Sequence, residues 1–203
     1  MESINASTSM PTPARRPPAA GPRRRPFKAL VRRATEPVPG VARWAVWAAH
    51  VIPLLTVPSG LWRIALGIGV PMGFSGDLAR VYAAPGWITP YVIALTLVSE
   101  AVALLSFALI TRWGETVPSW MPLVGGRSMP GGLVTSAAAV GTVALVLIAV
   151  PTVAVWNGPE NMGDPDAPQG MAGVMMTATY APMLAWPPLL AALTVAYWVR
   201  RRA

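Results

Sequence analysis

Two side chains charged at neutral pH fall deep inside apolar stretches long enough to cross a bilayer: Arg63 and Glu100. An ionised group alone at mid-membrane costs at least about 2.5 to 3.5 kcal/mol on insertion scales, so each must face a bundle interior, a partner or a wet cavity. Counted inward from the loops near Gly73 and Pro90, each lies about ten residues, or about 15 Å, deep at the helical rise. Antiparallel neighbours would bring them level, and a direct Arg63–Glu100 ion pair is the expectation. Such a pair either fixes the register of two helices or forms the floor of a polar cavity or proton relay. If Trp62 marks the membrane interface instead, Arg63 snorkels to it and no pair forms.

Other chemistry is poorly supplied. The chain has no cysteine, which removes thiolate metal sites, redox pairs, disulfides and cysteine nucleophiles. His50 has no second His or Cys near it and reads as a hydrogen-bonded interhelical residue rather than a metal ligand. Gly125-Gly126-Arg127 lacks the lysine, spacing and flanking elements of a phosphate loop. The stretch from Asn161 to Asp166 has the flavour of a calcium loop without its spacing or terminal glutamate, and is expected to be a solvated acidic loop. Glu115 is placed for a local ion pair with Arg112 or Arg127. No catalytic residue, metal site or cofactor is assigned.

The elements that must position these groups are helices in a membrane. Apolar residues make up 54% of the chain and charged ones 12%, well below the soluble average of roughly 25%. The expected fold is all-α: a four-transmembrane-helix bundle with spans at about 44–70, 91–112, 131–156 and 171–198. Pro53, Pro58, Ser59 and Gly60 in span one, and Pro182, Pro187 and Pro188 in span four, predict kinks or short unwound segments. In span three, Ala137 and Gly141 offer a small face for packing within the bundle. Residues 1–42, rich in Pro and Arg, are expected to be a disordered basic tail that contacts anionic lipid headgroups.

Charge sets the expected orientation. Nine of the sixteen basic residues precede Trp44 and three more are Arg200, Arg201 and Arg202, beside apolar spans rather than in a nucleic-acid-binding patch. With both termini cytoplasmic, the inner segments hold fourteen basic residues, whereas the outer loops hold Arg80 alone beside Asp77, Glu160, Asp164 and Asp166. A multi-pass plasma-membrane protein follows, with Trp44, Trp47, Trp113, Trp120 and Trp198 at the inner interface and Trp87 and Trp156 at the outer one. Trp62 and Trp186 fit neither interface. With Arg63, Glu100 and Tyr180 they are the expected lining of a cavity in the outer half of the bundle.

The loop residues Trp113-Gly114-Glu115, Pro118, Trp120, Pro122, Gly125-Gly126-Arg127 and Pro130, together with Ser59 to Leu66, resemble a family of uncharacterised four-span membrane proteins from actinobacteria. The resemblance implies topology and a plasma-membrane location, and it supplies no activity or catalytic residue. The function expected is a non-enzymatic accessory, small-ligand-binding or transport component. The alternative is a membrane enzyme using Glu100 as acid or base, with Tyr180 or His50 assisting. The partners expected are the bilayer, anionic lipid, and a membrane protein or a second copy of the chain in a homo-oligomer; nucleic acid is not among them.

Overall fold

The computed structural model describes residues 36–116, 126 and 128–202. Most of the basic tail, Pro118, Trp120, Pro122, Gly125 and Arg127 lie outside the described residues. Helix α1 runs from Arg43 to Gly67, α2 from Gly76 to Val81, α3 from Ile88 to Leu104, α4 from Gly131 to Ala154, α5 from Gly170 to Tyr180 and α6 from Trp186 to Arg202. A 3₁₀ segment, Leu105–Leu109, prolongs α3, and another, Ala181–Ala185, joins α5 to α6. The described residues form four helical segments long and apolar enough to cross a membrane: α1, Ile88–Leu109, α4, and Gly170–Arg202.

α1 is central. It packs on α3 along one side and on α5, the 3₁₀ segment and α6 along the other, while α4 lies against α6. Between apolar helices in lipid, association rests on close packing more than on the hydrophobic effect, and small residues permit it. Gly60 and Gly67 provide this: a Cβ would come within 3.0 Å of Thr96 Cγ2 at Gly60 and 2.6 Å of Val92 Cγ2 at Gly67. The main apolar core gathers at the end where α1 starts and α6 finishes, called here the basic end. Ala45, Ala48, Ala49 and Ile52 of α1 meet Ala103, Leu109, Ile110, Trp186, Leu190, Leu193 and Tyr197 there.

Span four breaks as its prolines predict, with the 3₁₀ segment separating α5 from α6. In span one, by contrast, Pro53 and Pro58 lie inside one continuous helix, and no unwound segment forms. Pro53 cannot donate to the carbonyl of Ala49, one turn back. Ser106 compensates, with its hydroxyl 3.3 Å from that carbonyl and 2.7 Å from the carbonyl of Ala103. α1 ends at Gly67, three residues before the expected end, because Gly69 adopts φ +89°. The amides of Gly69 and Val70 then bond the carbonyls of Leu66 and Ala65, each at 3.0 Å, which is a Schellman closure.

Span three differs from expectation. α4 contains no buried residue, and a Cβ on Gly141 would meet nothing within 4 Å, so the Ala137–Gly141 face is not used for packing among the described residues. Val134, Ala138 and Leu145 make the contact with the core instead.

The two connections at the acidic end hold one another. Asp166 accepts a 2.9 Å hydrogen bond from the backbone amide of Asp77 at the start of α2, and its carbonyl accepts one of 2.9 Å from the amide of Ser75. The expected solvated acidic loop is therefore a latch at this position. The short helix α2 itself had no apolar periodicity to reveal it.

Candidate functional site

Arg63 projects from α1 toward the centre of the bundle and is only 5% exposed. Its side chain folds back along its own helix: Nε donates to the Ser59 carbonyl at 3.2 Å and Nη2 to the Ser59 hydroxyl at 2.9 Å. From α3, the Ser99 hydroxyl receives Nη1 at 3.4 Å. Span four completes the surroundings at its break, with the Tyr180 ring 5.9 Å from the guanidinium carbon and the Met183 sulfur 4.0 Å from Nη2. Guanidinium N–H groups meeting alcohols, a carbonyl, a thioether and a ring face satisfy geometry without neutralising charge.

Glu100 is half-buried on α3, and its Oε1 accepts the Thr56 hydroxyl at 2.7 Å. The same hydroxyl also lies 2.7 Å from the carbonyl of Pro53. The expected direct ion pair does not form: among the described residues the ion pairs are Arg80–Asp77 and Arg200–Glu115. Helix geometry explains this. Ser99 and Glu100 are successive residues on α3 and point about 100° apart, so Arg63 meets the first while Thr56, about two turns away along α1, meets the second. Gly60 sits between, with a Cβ there falling 3.8 Å from Glu100 Oε1.

Of the five residues expected to line an outer-half cavity, Arg63 and Tyr180 are in contact, and Glu100 joins the same polar layer through Thr56 and its neighbour Ser99. Trp62 and Trp186 are buried at 7% and 3% exposure, which accounts for their misfit with either interface. Trp186 belongs to the apolar core at the basic end, where its indole N–H has no hydrogen-bond partner among the described residues. Trp44, Trp47, Trp87 and Trp198, assigned to the interfaces, are all exposed.

Sequence reasoning passed over Thr56, Ser59 and Met183 as partners. Thr56, Ser59 and Arg63 recur at spacings of three and four, one face of a helix, but Ser59 beside Pro58 and Gly60 reads as part of a break. His50 stays on its own helix, its Nδ1 2.8 Å from the Val46 carbonyl, with its ring edge-on to Phe107. Glu115 pairs with Arg200 at 3.5 Å rather than with Arg112, because the loop carrying it docks on α6 through Tyr197, whose hydroxyl donates to the Gly114 carbonyl at 2.8 Å. No group of three His, Cys, Asp or Glu side chains able to hold a metal ion occurs among the described residues.

Among the described residues, cavities lie at other places. One of about 490 Å³ is an apolar recess lined by Trp44, Trp47, Ala48, Val51 and Leu189. Another, of about 280 Å³, lies between the first turn of α4 and the last turn of α6. Compared with known proteins, the chain matches no family model, no curated protein and no solved structure.

Proposed function

We propose that the chain is a non-enzymatic plasma-membrane component, an accessory, small-ligand-binding or transport protein, in which Arg63 and Glu100 are the ligand-recognising groups. The observation that carries this reading is a guanidinium 5% exposed inside a set of membrane-length helices, held by neutral groups. A charge in that position is expensive unless something of opposite sign reaches it. The nearest acid in the layer is instead engaged by Thr56. Two opposite charges held apart suit a zwitterionic ligand, its anionic group at Arg63 and its cationic group at Glu100.

The hydroxyls around the two charges support binding over catalysis. Thr96 donates to Val92, Ser99 to Leu95 and Ser59 to Thr56, each to a carbonyl of its own helix. These three protons are committed to backbone, whereas the Thr56 hydroxyl is shared between Glu100 and the carbonyl of Pro53; a catalytic constellation would need, besides a hydroxyl on a base, a stabilising donor aimed at the reacting atom. The proposed orientation, with both termini cytoplasmic, rests on the fourteen basic residues of the inner segments against one in the outer loops.

Native mass spectrometry of the gently extracted protein in its own lipids, wild type beside Glu100→Gln, tests the proposal. A small-molecule mass on the wild type that the variant loses is the expected result. A bare chain in both, or a protein partner retained equally by both, would make Arg63 and Glu100 purely structural. A bound mass that the wild type converts and the variant does not would favour the enzyme with Glu100 as acid or base.

A further inference from the structure

The cavity of about 280 Å³ at the basic end is lined by Gly131, Gly132, Thr135, Trp198, Arg201 and Arg202. We propose that it is a binding site for the phosphate of an anionic glycerophospholipid. Arg200, the neighbour of these arginines, is paired with Glu115, whereas the described ion pairs include neither Arg201 nor Arg202. Two cations thus face one cavity whose lining, among the described residues, includes no carboxylate.

Both guanidinium groups are held in place before any ligand arrives. Arg201 Nη2 donates to the Met129 carbonyl at 3.0 Å, and its Nε lies against Gly131, where a Cβ would approach to 2.9 Å. Arg202 stacks on Trp198, its guanidinium carbon 3.9 Å from the ring centroid. Planar guanidinium forks match phosphate oxygens in pairs. Gly132 leaves the remaining wall open, since a Cβ there would meet nothing within 4 Å.

A diester with acyl chains fits better than a free anion because of what adjoins the cavity. α4 rises from it with no buried residue, and Leu133, Val140, Leu147 and Ile148 are exposed along its length. Trp198, 41% exposed, adds an amphipathic ring at the level where glycerol would sit. The phosphate would meet the arginines and the chains would run along α4. The lining of this site shares no residue with the Arg63 layer.

The test uses the full chain in detergent, washed and then titrated with phosphatidylglycerol, phosphatidylcholine or inorganic phosphate, with retained lipid counted by native mass spectrometry. The wild type is expected to retain phosphatidylglycerol over phosphatidylcholine. Arg202→Gln, which removes a side chain at the end of the helix, is expected to weaken retention by roughly fivefold, the value of one basic group near an anionic headgroup. Arg201→Gln with Arg202→Gln should weaken it further, and Arg112→Gln, outside the cavity, should leave it unchanged. Equal retention of both lipids, or no loss in the double variant, would overturn the site. Displacement of the lipid by millimolar inorganic phosphate would show a free-anion site and overturn the lipid assignment.

Discussion

Arg63 and Glu100 occupy the same layer of the bundle without forming an ion pair: Ser99 receives the guanidinium at 3.4 Å, and Thr56 reaches the carboxylate at 2.7 Å. The consequence is that the two charges are not interchangeable. Arg63→Glu and Glu100→Arg should each lower the yield of folded protein, and the double variant should be no better than the worse single one. Recovery of folded yield in the double variant would show a direct pair.

The Thr56 hydroxyl is the part of α1 that reaches Glu100. Thr56→Val keeps the shape and removes the donor. The expected loss is about 1.5 to 3 kcal/mol, the range for hydrogen bonds to charged groups. Unfolding in graded denaturant would measure it, and a loss below about 0.5 kcal/mol would mean that the hydroxyl serves the Pro53 carbonyl alone.

At Gly67, where α1 packs against α3, a methyl group would lie 2.6 Å from Val92 Cγ2. Gly67→Ala should destabilise by about 1 to 3 kcal/mol, as overpacking does. Val92→Ala in the same chain should restore part of that loss, because it removes the clashing atom. Additive losses in the double variant, read from thermal unfolding, would place the strain elsewhere.

Tyr197 fastens the loop after α3 to α6 through the Gly114 carbonyl. Tyr197→Phe leaves that buried carbonyl without its donor, at about 1 to 3 kcal/mol. Gly114→Ala should cost more, because its Cβ would run into the Ala108 carbonyl oxygen. Protection of the amides around residues 110–116 from hydrogen exchange should fall in both variants, more in the second.

Asp166 latches the two connections at the acidic end. Asp166→Ala should raise hydrogen exchange over residues 75–82 and leave the exchange of α1 and α3 unchanged, since the latch touches neither. An effect spreading through α1 would make the latch part of the bundle's stability.

Four spans and the clustering of basic residues were legible in the sequence because both are one-dimensional properties: an apolar run of bilayer length and the charges flanking it. Trp62, Arg63, Glu100 and Trp186 could be singled out for the same reason, as residues out of place in such runs. Rotational position could not be read this way. Whether Arg63 meets Glu100 or Ser99 depends on about 100° of rotation and on Gly60 and Gly67 letting α1 and α3 approach. The pairing of Glu115 with Arg200 and the Asp166 latch likewise join residues far apart in the chain. The sequence by itself determined which four segments are apolar and long enough to cross a membrane; the tertiary structure decided which side chain each polar group meets, because that depends on helix rotation and contact between segments.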